Sequence, residues 1–227
     1  MTDILRQPTQ TAVCTALLAA GTAAVSDALD RAGLPGSAFG IHPLAPGQRM
    51  VGPAFTVRYV PLGAAKGNVG DYLDDCVAGE VVVLDNGGRL DCTVWGDILT
   101  TVAHERGLAG TAINGVCRDV HRPGQLSYPV YSKGRFMRTG KDRVVLADVG
   151  SVVTLGDAQV RPGDIVVGDD DGVVVVPWEL AHEIAATAEQ IVQAENRVLD
   201  SVRSGATLGS ARELHGYHQL QRRADPL

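Results

Sequence analysis

Aromatic residues are scarce in this chain, at 4% of 227 residues, and charged residues reach only 20%. The low charge excludes a self-repelling disordered chain, and an apolar share of 45%, carried largely by Val and Ala, suits a folded α/β protein. Basic residues are the minority: 20 Lys and Arg against 26 Asp and Glu leave a net charge of −6 and a pI near 5.4. A nucleic-acid partner is therefore not expected, because such proteins present a basic face. The four cysteines, at positions 14, 76, 92 and 117, lack C-x-x-C spacing, and the start "MTDILRQPTQ" has no basic region leading into an apolar run. Export is not indicated, and a reducing cytoplasm is the expected location. No apolar stretch is read as approaching the roughly 20 residues of a membrane span, so no membrane partner is expected. No G-x-G-x-x-G loop follows the first strands to cradle a nucleotide-like cofactor. No linker-like segment interrupts the chain, so residues 1–227 are expected to form one domain.

What is present reads as alternating helix and strand. Val25, Leu29 and Ala32 are helically spaced, with Gly33 and Pro35 beyond them, which predicts a helix over about 22–32. "MVGPAFTVRYVPL" predicts a strand, followed by the glycine-rich loop "GAAKGNVGDYLDD". "VAGEVVVLDNGG" at 77–88 and "RPGDIVVGDDDGVVVVP" at 161–177 each place a small turn and an acid before a valine-rich strand. "GDDDG" at 168–172 lacks the spaced acids of a calcium loop and reads as a hairpin turn. Ile184, Ile191, Val198 and Val202 form one stripe, predicting a long amphipathic helix that ends near Arg203, with Gly205 stopping it. The tail from about 206 to 227 shows no periodicity and is expected to be either a loose terminus or an arm held by a neighbouring subunit.

The stretch "WGDILTTVAHERGLAGTAINGVCRDVHRPG" at 95–124 carries the chemistry. A strand at 81–85, a helix from Asp97 to Gly107 and a strand at 110–115 make a βαβ unit, whose strands are parallel. Asp97, the amides of Ile98 and Leu99, Arg118 and Asp119 then fall at the carboxyl edge of the sheet, where ligands bind in such folds. A guanidinium can hold a carboxylate through two hydrogen bonds, and free amides at a helix start favour negative charge, so a small 2-oxo acid fits. Asp119 offers a hard oxygen to Mg²⁺ or Mn²⁺, and Asp97 a proton-transfer group acting through water. The plain alternatives are a surface ion pair at 118–119 and a helix cap at Asp97.

Asp97, twenty intervening residues and then Arg118-Asp119, together with "VSDALD", "GDYLDD", "LDNGGR" and "GDIVVGDDDGVVVVP" in that order, resemble the family of the regulator of ribonuclease activity A and the 4-hydroxy-4-methyl-2-oxoglutarate aldolases. The resemblance implies an α/β/β swivelling-domain fold and a homotrimer or dimer of trimers with active sites between subunits. It also implies a divalent metal on Asp119, with pyruvate held by Arg118 and the amides after Asp97. The implied activity is that of a metal-dependent lyase that releases pyruvate from a 4-hydroxy-2-oxo acid, with oxaloacetate decarboxylation beside it. The other activity found in the family is non-catalytic, the binding and inhibition of a ribonuclease. Where the aldolases continue Arg-Asp-x-x-Glu/Asp, this chain has Arg122, which would favour an additional anionic group on a sugar-acid-like substrate.

Further candidates are His121 as a second proton-transfer group and Asn68, Gly70 and Asp71 as crevice residues, and, because the resemblance implies an acid supplied by a neighbouring subunit, Glu195 or Glu189. Cys92 and Cys117 read as small packing residues, and "HGYH" at 215–218 as a polar tail without a third metal ligand.

Overall fold

Valine-rich strands whose alternate residues face two different cores organise the computed structural model, which describes residues 8–64 and 68–220. The strands are β1 (His42–Pro43), β2 (Met50–Pro61), β3 (Val81–Thr93), β4 (Gly110–Cys117), β5 (Val130–Arg135), β6 (Val144–Val149), β7 (Val153–Leu155), β8 (Ala158–Val160), β9 (Ile165–Asp169) and β10 (Gly172–Val176). The helices are α1 (Pro8–Arg31), α2 (Asp97–Glu105), α3 (His121–Leu126), α4 (Ala181–Arg203) and α5 (Leu208–Leu214). Eight strands form a mixed sheet in the order β1-β5-β4-β3-β2-β9-β10, with β6 also pairing to β2. The β2–β3, β3–β4 and β4–β5 pairs are parallel, so the expected βαβ crossover is present.

Period-two alternation explains the layering. In β3, Val82 and Leu84 enter a core with Trp95, Ala103 and Tyr128, whereas Val81 and Val83 enter a second core with Val166, Val173 and Val175. The opposite faces of β9 and β10, carrying Ile165, Val167, Val174 and Val176, bury against α1 and α4. Helices, the β9–β10 hairpin and the parallel strands therefore stack as α/β/β, with α2 on the far side. The hairpin turns through Asp170 and Asp171, as the "GDDDG" stretch predicts.

Three boundaries and the burial of one residue differ from expectation. Helix α1 starts near Pro8 rather than Thr22, and the expected segment is its second half, because Gly21 breaks the helix at φ 82° and ψ 159°. Asp169 recaps the chain there, accepting from the Thr22 amide at 2.8 Å and its hydroxyl at 2.6 Å. Strand β3 does not stop at Asp85; it bulges through Gly87 and Gly88 and resumes, pairing Arg89 with Gly115 and Thr93 with Val116. The tail from Ala206 is not loose as far as residue 220: α5 is capped by Thr207, buries Ala211, and is tied to α4 by a 2.8 Å contact between Ser201 Oγ and His215 Nε2. Val202, placed on the apolar stripe, is 38% exposed at the helix end, whereas Ile184 and Ile191 are 1% exposed.

One stretch corrects the reading that no segment approaches membrane-spanning length. Residues Gln10–Arg31 are long and apolar enough to span, by length and composition. Their apolarity comes from Ala, Val and Leu interspersed with Thr, Ser, Cys and Gly, with the charged residues Asp27, Asp30 and Arg31 confined to the last turns, a mixture that no bulky hydrophobic block announces. One face of the helix, with Val13, Leu17, Val25 and Leu29, is buried in the core shared with α4.

Replacing Ile184 by Ala should cost about 3 kcal/mol through lost burial and an unfilled cavity, whereas Leu199→Ala, at a 49% exposed position, should stay within about 0.5 kcal/mol. Urea denaturation with unchanged slope reads the difference.

Candidate functional site

The chain leaves β3 at Thr93 and enters α2 through Trp95 and Gly96, and Trp95 fixes this passage. Its indole is buried and donates to Thr100 Oγ1 at 2.9 Å, and its carbonyl accepts from the Thr93 hydroxyl at 2.9 Å and the Arg118 amide at 3.2 Å. The start of α2 is thereby held against the residue that follows β4.

Gly96 is the N-cap of α2 and offers no side chain, so Asp97 is the first helical residue rather than the cap. The first-turn amides have no carbonyl partner within the helix. Asp97 Oδ1 accepts from the Ile98 amide at 2.8 Å, and Asp119 Oδ2 accepts from the Asp97 amide at 3.3 Å. Asp119 makes this reach in the left-handed region, at φ 55°. Such a conformation is uncommon outside glycine and clusters at functional sites. The same oxygen lies 3.2 Å from Arg118 Nε, with the two side chains 33% and 38% exposed. A pair this exposed contributes at most about 1 kcal/mol, so its main effect is to orient the two groups. Gly96 is required by this packing: a Cβ there would stand 2.7 Å from Asp119 Oδ2 and 3.2 Å from Arg118 Nε.

These groups border a cavity of about 270 Å³ at the carboxyl ends of β3 and β4. It gathers Gly70, Asp71, Asp97, Ile98, Leu99 and Arg118 from the expected set. Asp119 is outside the lining and joins it through the Asp97 amide. Thr139 and Lys141 also line it, unanticipated from the sequence. Their loop reaches the site because Thr139 bridges Thr93 and the Thr93 amide donates to the Arg138 carbonyl at 2.9 Å.

Other expected residues lie outside the lining. Asn68 shapes the neighbouring loop, its Oδ1 accepting from the Gly70 amide at 3.0 Å. Gly70 sits at φ 82°, where a Cβ would fall 2.6 Å from Leu146. Arg122 turns toward the flank of α2, donating from Nε to Thr101 Oγ1 at 3.0 Å and from Nη1 to Gln125 Oε1 at 3.4 Å. His121 is exposed as the first residue of α3. Glu195, on α4, faces α1, and its carboxyl is raised by burial and then by the charge of Asp27.

Cys92 and Cys117 are fully buried, as packing residues should be, and burial pushes the Cys117 thiol up to about 11. A thiolate at neutral pH is thereby disfavoured. Among the described residues, no three His, Cys, Asp or Glu side chains gather as a metal cage. The donor chemistry nonetheless suits Mg²⁺ or Mn²⁺, which commonly take one or two carboxylates and keep several waters. Asp119, a third exposed, and Asp97 are such donors.

A family model described as Aldolase/RraA matches residues 22–175. The chain belongs to the RraA-like family. Among RraA-like relatives, protein DlpA of Legionella pneumophila is 38% identical over 206 residues, covering 89% of this chain and 34% of DlpA, so the chain spans about a third of that protein's length. A Halalkalibacterium halodurans protein provisionally named 4-hydroxy-4-methyl-2-oxoglutarate aldolase is 34% identical, over 69% of this chain and 72% of its own. An uncharacterized protein of Pseudomonas syringae pv. tomato superposes with a TM-score of 0.83 at 41% identity, covering 89% of this chain and 97% of the other. A Streptomyces coelicolor protein, described as an unusual member of the RNase ES inhibitor RraA family, gives 0.74 at 28% identity, over 82% and 94%.

Gly96→Ala in this RraA-like chain should leave it folded but part the Asp119 carboxylate from Arg118. The Arg118 Nε–Hε resonance should move, while the indole N–H resonance of Trp95 keeps its shift. An unmoved Arg118 signal would contradict the packing described.

Proposed function

We propose that this RraA-like protein is a divalent-metal-dependent carbon–carbon lyase that cleaves a 4-hydroxy-2-oxo acid to pyruvate and a second carbonyl compound, with oxaloacetate decarboxylation as a side activity. The observation that carries this reading is that Arg118 and the first turn of α2 line one cavity, with the Asp119 carboxylate behind them contacting both Arg118 and the Asp97 amide. Kinship with proteins carrying the aldolase name supports it.

Each group has a task. The Arg118 guanidinium takes the substrate carboxylate, aided by the Leu99 amide and the positive end of α2. A bound Mg²⁺ or Mn²⁺ would be held by Asp119 and would supply Lewis acidity to stabilise the enolate. Asp97 relays the proton of the C4 hydroxyl through a water. The C4 oxygen becomes a carbonyl, the C3–C4 bond breaks, its electron pair passes into the pyruvate enolate, and a proton returned to C3 completes the balance. Four free cysteines fit a reducing compartment such as the cytoplasm. The family resemblance extends the proposal to a homotrimer or dimer of trimers.

Pyruvate release should appear on 4-hydroxy-2-oxo acids with Mg²⁺ or Mn²⁺, vanish with EDTA, and fall roughly 100-fold or more in Arg118→Ala and in Asp119→Ala. Full activity in either variant, or turnover that ignores EDTA, would reject the lyase. No turnover together with inhibition of a ribonuclease would replace it with the regulator.

A further inference from the structure

A second cavity, of about 450 Å³, lies apart from the start of α2 and shares no lining residue with the cavity there. Its walls are the second half of α1, the segment 37–42, the β7–β8 turn and the start of β10. Phe39 stands at this cavity with 81% of its surface exposed, more than any other large apolar residue described. In a chain with three phenylalanines, packing does not account for a ring left in water on a rigid backbone.

The backbone that carries the ring is fixed from two sides. Ser37 bridges to Val174, the Ala38 amide donates to the Val173 carbonyl at 2.9 Å, and the Phe39 amide donates to Asp157 Oδ1 at 2.9 Å. Gly156, at φ 62°, packs against the same residue, since a Cβ there would fall 2.5 Å from the Phe39 carbonyl oxygen. The β7–β8 turn thus holds Phe39 and sets the Asp157 carboxylate beside it. Helix α1 is joined to this segment through Ser26 and Ser37, whose hydroxyl oxygens are 2.8 Å apart.

The polar groups restrict what could bind. One proton lies between the two serine oxygens, so the pair keeps a second O–H and further lone pairs to offer. Asp157 and Asp171 supply acceptors only, and His42 completes the polar lining. No Lys or Arg is among the described lining residues, which disfavours phosphates and carboxylates, and no three ligating side chains gather there as a metal cage. An ammonium group would face the free serine O–H with another donor. A ring polyol answers every group: its hydroxyls donate to the carboxylates and exchange both roles with the serines, and its C–H face lies on the negative face of the aromatic ring.

We infer that this cavity is a binding subsite for a neutral sugar ring, stacked on Phe39 and hydrogen-bonded to Asp157 and to the Ser26–Ser37 pair. The subsite does not depend on the lyase reading, and its test needs no turnover.

The test is an NMR titration with the methyl pyranosides of glucose, galactose and mannose, following the Phe39 ring and amide signals at sugar concentrations up to about 50 mM. At least one sugar should shift both signals saturably. Phe39→Ala should weaken that sugar about tenfold and Phe39→Trp should restore it, whereas Leu214→Ala, at a comparably exposed position on α5, should change nothing. Ser37→Ala should weaken it about threefold or more through the lost hydroxyl pair. The wild-type melting midpoint should persist in Phe39→Ala, because the ring is not part of the core. The subsite is overturned if none of the three sugars shifts Phe39, or if putrescine shifts it at lower concentration than every sugar. A lower sedimenting mass for Phe39→Ala than for the wild type would also overturn it, by assigning the ring to a contact between copies of the chain.

Discussion

The Asp119 carboxylate, placed between the first amide of α2 and the guanidinium of Arg118, is the contact on which the site depends. It fastens the residue after β4 to the helix that follows β3, so two segments 22 positions apart become one wall. Its energetic worth is small, because the pair is about a third exposed, and the left-handed backbone at Asp119 costs something comparable. What holds it is the surrounding structure: the Asp119 carbonyl accepts from the Arg122 amide at 2.9 Å, and the Arg118 amide is taken by Trp95. The core under β3 and β4 therefore fixes the geometry, and the polar contacts select among the rotamers it allows.

The same logic accounts for the glycine at position 96. A cap residue with a side chain would satisfy α2 internally and leave its positive end unavailable to anything else. Glycine provides room for Asp119 to approach and keeps the Leu99 amide unclaimed. Helix stability is given up locally in exchange for a polarised edge, and the buried Trp95–Thr100 contact offsets part of that loss.

The periodic features were legible in the sequence. The βαβ unit at 81–117, the β9–β10 hairpin and α4 each carry a hydrophobic repeat or turn pair that acts within a few residues. Asp97, Arg118 and Asp119 were legible for a related reason, since a parallel crossover puts strand ends and helix starts on one edge whatever lies between. The rest depends on contacts that leave no local pattern. The first half of α1 is alanine-rich and weakly amphipathic, and its break at Gly21 is closed by Asp169 from far along the chain. Lys141 reaches the cavity on a loop tied to Thr93 by the Thr139 bridge and the Arg138 carbonyl, with no repeat around it. Arg122 looked like a substrate contact by comparison with the aldolase pattern, but the first turn of α3 aims it at Thr101.

Charge balance ties these residues to the proposed chemistry. Three carboxylates, Asp71, Asp97 and Asp119, stand at the site against two cations, Arg118 and Lys141. By itself that excess of negative charge disfavours an anionic substrate, since like charges in a partly dry cleft cost more than they would in water. On the lyase reading, a divalent cation would reverse the sign of the site. Affinity for metal and affinity for a 2-oxo acid would then rise together, because a ligand that favours the other's occupied state is favoured in return.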